Sequence, residues 1–444
     1  MRLSRLALLL TGCAAGPRLS SEAAPKASPC PPELPAGATC LSGVDSAGAH
    51  YLIAKPAQWN GHLVMHAHGG PLLGAPTAAR AMEDLKRWAI MVKAGYAWAG
   101  STFRQGGVEV RAAAEDTERL RRIFMDHVGS PKRTILHGQS WGAGVAAKGA
   151  EMFTAQTSGS QGKAPYDAVL LTSGVLGGGT RSYDFRTDLR VVYQYLCNNH
   201  PRPTEVQYPL NIGLPADAAM TQADLAARVN ECLALNKPVA ERTPEQQRKV
   251  KTIVDVIRIP ASSIQGHMNW ATFHFRDVVQ HRTGGASPFG NQGVLYRGSP
   301  DDAALNAAVL RYRADPAAVA RFAQDTDLTG RIPVPVLTVK GVDDPTAFVE
   351  LDAAFKATMA QGGSAARLVQ TFTQHNTHSY LSDPTYPTLL AALLRWVDTG
   401  DKPTPEGIAR QCAGMETPFG KGCAFLPGYV PAPLASRVAE RERP

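Results

Sequence analysis

The stretch of this chain richest in reactive chemistry runs from Arg133 to Gly144. Arg133-Thr134-Ile135-Leu136-His137 reads as a strand, Gly138-Gln139-Ser140-Trp141-Gly142 follows at once, and an Ala/Gly-rich helical stretch begins at Trp141. A serine at a tight strand-to-helix turn is held with its hydroxyl exposed, and glycines two residues to either side leave room for that turn. Such a serine is a candidate nucleophile for acyl transfer if a base and oxyanion donors are brought to it. The plain alternative is a Gly-rich turn without chemistry. A second stretch, Gly174-Val175-Leu176-Gly177-Gly178-Gly179, lacks the lysine and serine of a phosphate cradle, and reads as a hinge or a close approach of backbone to ligand. No Cys-x-x-Cys or Cys/His cluster with zinc spacing is present, so no metal or other cofactor is expected.

The elements that must position Ser140 are legible as an α/β alternation. Strand candidates are His62–Ala67, Tyr96–Thr102, Thr134–His137, Ala168–Thr172, Val334–Lys340 and Leu368–Thr373. Helical periodicity covers Ala78–Lys93, Val110–Val128, Trp141–Phe153, Leu351–Gln361 and Pro387–Val397. Strands separated by helices of this length imply a mostly parallel sheet covered on both faces. The rhythm breaks for about 160 residues between Ser173 and Val334, too long for a structureless loop, so a helical cap inserted over residues 181–330 is expected. Tyr183, Tyr193, Tyr195, Trp270, Phe273 and Phe275 in that excursion form its core or line a substrate pocket.

Over residues 50–180 and 330–400 the motifs, taken in order, resemble the α/β-hydrolase family. The resemblance implies an α/β-hydrolase fold, with the core at 30–180 and 331–444 including a C-terminal extension. It also implies oxyanion donors from the backbone N–H groups of Gly70 (or Gly69), in His68-Gly69-Gly70-Pro71, and of Trp141. Family triads run serine, acid, histidine, and the acid is implied to be Asp344, three residues after Gly341, with Asp343 as the alternative. The base is implied to be His378, because Trp396-Val397-Asp398-Thr399-Gly400 stands 18 residues beyond it; His375, 21 residues before Trp396, is the other candidate. Thr377 departs from the glycine that commonly precedes this histidine. The activity implied is serine hydrolysis of carboxylic esters. A peptidase or amidase of the same fold is the alternative within enzymes, and a non-catalytic surface lipoprotein is the alternative outside them.

The N-terminus also resembles a known signal. Arg2 and Arg5 precede the short apolar run Leu6–Leu10, and Leu10-Thr11-Gly12-Cys13 resembles the lipobox of bacterial lipoproteins. That resemblance implies removal of residues 1–12, lipidation of Cys13, a tether over residues 13–29, and, with Ala14 after the cysteine, an outer-membrane address; a periplasmic or secreted protein is the alternative. Six cysteines remain, and in an oxidising compartment the economical pairing is Cys30–Cys40, Cys197–Cys232 and Cys412–Cys423. The chain has 444 residues, 44% hydrophobic and 19% charged, enough for a large core. Its net charge of +8 is spread without any run of five Lys/Arg, so nucleic acid is not an expected partner. The expected partners are a small-molecule or oligomeric ester substrate and a membrane, reached through the lipid anchor.

Overall fold

The computed structural model describes residues 22–154 and 164–444; the signal peptide and Cys13 lie outside the described residues. Among the described residues nine strands form one sheet: β1 Lys26–Ser28, β2 Thr39–Val44, β3 His50–Lys55, β4 His62–Ala67, β5 Ala97–Ser101, β6 Arg133–Gln139, β7 Ala168–Thr172, β8 Val336–Gly341 and β9 Leu368–Thr373. Their spatial order is β1-β2-β3-β5-β4-β6-β7-β8-β9. The six from β5 to β9 pair in parallel, and β1, β2 and β3 add an antiparallel edge. This is the α/β-hydrolase fold.

Side-chain alternation explains why the central strands are apolar on both faces. In β4, Leu63, Met65 and Ala67 face the helices Val110–His127 and Trp141–Gly149 together with Ile123, Phe124 and Val145. Val64 points the other way, into a core built with Leu85, Leu389, Leu393 and Trp396 of the helices Ala78–Arg87 and Thr385–Thr399. β7 repeats the pattern, with Val169 and Leu171 on one face and Ala168 and Leu170 on the other. Gly400, at φ 82°, closes the helix Thr385–Thr399 by donating its N–H to the Trp396 carbonyl.

Two elements differ from the sequence expectation. Lys26–Ser28, within the stretch expected to be a free tether, forms an edge strand on β2 beside the Cys30–Cys40 disulfide. The helix expected over Ala78–Lys93 is interrupted at Trp88, whose fully buried indole packs against His137 and Tyr386.

Between β7 and β8 lies a mostly helical segment with its own apolar core, including Leu189, Val192, Leu225, Ile253 and Met268. Of the excursion's aromatics, Tyr183, Tyr193, Phe273 and Phe275 are buried, and Tyr195 is exposed. The C-terminal residues pack on this segment: Val438 joins its core, and Arg441 pairs with Asp188 at 2.7 Å and Asp184 at 3.6 Å. Disulfides link Cys30–Cys40, Cys197–Cys232 and Cys412–Cys423. Among the described residues no helix is long and apolar enough to cross a membrane.

Candidate active site

The loops leaving the C-terminal ends of β4, β6, β8 and β9 lie together at the carboxyl end of the parallel strands, where α/β folds place their ligands. Ser140 follows β6 directly and has φ 56° and ψ −122°, a conformation costly for a residue with a Cβ. Three backbone hydrogen bonds hold it: Ser140 N–H donates to the Thr172 carbonyl at 2.9 Å, and the Ser140 carbonyl accepts from Ala143 and Val175 at 3.1 and 3.0 Å. The flanking glycines are required by contact. A Cβ on Gly142 would collide with the carbonyls of Ala67 and His68, and one on Gly138 with the Gly142 carbonyl.

Ser140 Oγ lies 2.7 Å from His378 Nε2. His378 Nδ1 lies 3.0 and 2.9 Å from the two carboxylate oxygens of Asp344. The Asp344 side chain is fully buried, and its Oδ1 also accepts the backbone N–H groups of Thr346 and Ala347, both at 2.8 Å. Asp343 is exposed, and His375 turns aside to bond Thr373 Oγ1 at 2.9 Å. The structure therefore joins Ser140, His378 and Asp344 and leaves the two alternative residues out.

The turn after β4 passes beside Ser140. Trp141 is the first residue of the helix Trp141–Gly149, where a backbone N–H has no partner within its own helix. Gly70, at φ 68°, sits in the His68–Pro71 turn. Arg80 Nη2 donates to the Gly69 carbonyl at 2.9 Å, which in a trans peptide points the Gly70 N–H the opposite way. His68 is structural: it stacks on Phe103 at 4.2 Å, and burial lowers its pKa to about 4. A cavity of about 200 Å³ opens here, lined by Trp141, His68, Pro71, Leu72, Phe103 and Arg80. Larger cavities of about 540 and 660 Å³ lie away from these loops, against the C-terminal tail.

Two positioning contacts have no motif that announces them. Gln139, the residue before Ser140, donates its Nε2 to Ser379 Oγ at 2.9 Å, and Ser173 Oγ donates to the Ser379 carbonyl at 3.2 Å. Behind the acid loop, Lys340 is fully buried, pairs with Asp352 at 2.5 Å and donates to the Gly174 carbonyl at 2.6 Å. Burial raises the Asp352 pKa, opposed by Lys340. Among the described residues no group of His, Cys, Asp and Glu is arranged to hold a metal ion.

No family model matches the chain. It is 30% identical to an o-phthalyl amidase of Xanthobacter agilis over 134 residues, which are 30% of this chain and 28% of the amidase. The chain thus spans less than a third of that relative's length. Among solved structures, an esterase from Aspergillus oryzae aligns with a TM-score of 0.44 at 13% identity, over 82% of this chain and 80% of that one. Feruloyl esterase B from the same organism gives 0.41 at 14% identity, over 82% and 81%. The rice cell wall degrading esterase LipA from Xanthomonas oryzae gives 0.36 at 14% identity, over 76% and 83%.

Proposed function

We propose that this protein is a serine hydrolase of carboxylic esters, with Ser140 as nucleophile, His378 as general base and Asp344 as the group that orients the imidazole. The observation that carries this reading is the hydrogen-bonded chain from Ser140 Oγ through His378 to Asp344, next to a serine backbone held in a strained turn. Ser140 Oγ attacks the ester carbonyl carbon as its proton passes to His378 Nε2. Asp344 accepts the Nδ1–H and stabilises the imidazolium. The Gly70 and Trp141 N–H groups receive the oxyanion, each worth about 3 kcal/mol in comparable sites. Collapse of the tetrahedral species expels the alcohol, which takes the proton from His378, and water repeats the sequence on the acyl-enzyme to release the acid.

The mostly helical segment between β7 and β8 acts in this reading as a cap over the cleft. The three disulfides support export to an oxidising compartment, with Cys13 as the lipidated residue and an outer-membrane address. The partial similarity to an amidase favours a second reading, amide hydrolysis by the same triad. A panel of matched esters and amides differing in acyl size separates the two. Turnover of esters at least about 100-fold faster in kcat/KM supports an esterase, and comparable turnover of the amides supports an amidase.

A further inference from the structure

The helix Phe185–Cys197 carries two deeply buried arginines one turn apart, both with an unpartnered Nε and, among the described residues, neither paired with a carboxylate. Arg186 has the fewer hydrogen bonds of the two. Arg190 donates to Thr272 Oγ1 at 2.7 Å and to the His200 carbonyl at 3.5 Å. Arg186, 3% exposed, has one long hydrogen bond, from Nη1 to the Ser182 carbonyl at 3.4 Å. Its Nε is buried without a partner. Among the described residues, no carboxylate forms an ion pair with it. Instead it is boxed by aromatic rings, with Phe185 at 4.6 Å, Trp270 at 4.8 Å and Tyr183 at 5.2 Å. Burial lowers its pKa to about 10, so the guanidinium remains charged at neutral pH. A buried cation without a counter-charge is costly to a fold, and aromatic faces compensate it only in part.

The box around Arg186 touches both loops of the candidate site. Trp270 stacks on Tyr183 at 4.6 Å and on His274 at 4.1 Å, and His274 Nε2 donates to the carbonyl of Pro71, the residue after Gly70. On the other side, Phe185 packs edge-on against His267, whose Nε2 donates to the carbonyl of Pro345, the residue after Asp344. Burial holds the His267 pKa well below the ordinary histidine value, and the Arg186 charge lowers it further. The unpaired cation therefore sits between the oxyanion turn and the acid loop.

We propose that Arg186 is the anion-binding group of this cleft and that the substrate is an ester carrying a free carboxylate, a half-ester of a dicarboxylic acid. The carboxylate supplies the counter-charge and accepts from the fork of the guanidinium, while the aromatic box excludes water from the pair. The proposal deepens the serine-hydrolase reading and rests on it.

The test compares mono-p-nitrophenyl glutarate with p-nitrophenyl valerate, which differ in a terminal carboxylate against a methyl group. The wild type is expected to favour the charged ester by at least tenfold in kcat/KM. Arg186→Gln is expected to abolish that preference by raising KM for the glutarate, with the valerate changed less than about threefold, and Arg186→Lys to restore it in part. Equal rates for the two esters in the wild type, or equal losses for both in Arg186→Gln, would overturn the proposal. A second measurement, independent of turnover and of that variant's folding, is calorimetric titration of Ser140→Ala with glutarate and with uncharged glutaramide. Binding of glutarate alone supports the anion site, and absence of binding or equal binding overturns it. Failure of the hydrolase reading shows separately, as a folded wild type that hydrolyses neither ester and takes no fluorophosphonate at Ser140.

Discussion

Gln139 and Ser379 are hydrogen-bonded across the candidate site, Nε2 to Oγ at 2.9 Å, so the residue before Ser140 is tied to the residue after His378. Ser379 has φ 81° and Ser140 φ 56°, and the bond links two strained turns whose relative position sets the 2.7 Å contact between Ser140 and His378. Gln139→Leu removes this link while keeping the side-chain bulk. It is expected to lower kcat by about 10- to 100-fold with KM little changed, because small misplacements of reacting groups carry penalties of this size. Steady-state kinetics beside an unchanged circular dichroism spectrum would check it.

The pairs of neighbouring candidates give a ranking. Asp344 is buried and bonded to His378, whereas Asp343 is exposed. Asp344→Asn is expected to reduce kcat by about 10⁴-fold, and Asp343→Asn to leave it nearly unchanged. His378→Ala should match the loss in Ser140→Ala, since nucleophile and base act as a unit, and His375→Ala should cost less than about tenfold. A reversed order within either pair would move the role to the other residue.

Much of this was readable in the sequence, for definite reasons. The central strands are buried on both faces, so β4 and β7 appear as largely apolar runs with the bounds His62–Ala67 and Ala168–Thr172, broken in β4 by the histidines at 62 and 66. Ser140 was legible because the turn around it excludes a Cβ at positions 138 and 142, which writes glycines into the chain. The antiparallel edge was not. β2, Thr39–Val44, is only partly buried and contains a serine and a glycine, so it carries little hydrophobic signal, and three-residue β1 carries none. Gln139 and Arg186 were silent for another reason. Their roles depend on partners far away in sequence, and no local spacing encodes a contact such as Gln139 to Ser379 or Arg186 to Trp270.

Lys340 and Asp352 form a buried ion pair whose lysine also holds the Gly174 carbonyl behind the acid loop. Lys340→Met strands Asp352 in the core. It is expected to destabilise the protein by about 3–5 kcal/mol, whereas replacing both residues by apolar ones should recover much of that loss. Urea denaturation of the two variants measures the difference.

Stability should fall as the solution is acidified below about pH 6.5. Burial lowers the pKa of His137 to about 3 and those of His68 and His274 to about 4, and holds His66 and His267 well below the ordinary histidine value. Between the unfolded pKa and these folded values the unfolded chain binds more protons, so acid favours unfolding. Asp84 and Asp184, raised by burial to about 7 and about 6, act in the opposite direction over part of that window. His62, His200 and His375 are lowered in the same way as the other histidines, and Glu109, Glu151, Asp325 and Asp352 are raised like the two aspartates. Eight histidines against six carboxyl groups leave acid destabilising, and urea midpoints should decrease from pH 7 to pH 4.5. A midpoint that rose on acidification would contradict these assignments.

The central claim, that Ser140 is an activated nucleophile, is tested most directly by fluorophosphonate labelling followed by peptide mapping. Labelling reports attack by the serine itself and needs no knowledge of the substrate. The account predicts a single adduct on Ser140, absent in Ser140→Ala and slowed by orders of magnitude in His378→Ala. A folded wild type that takes no label, or one whose adduct lies on another serine and persists in Ser140→Ala, would contradict it.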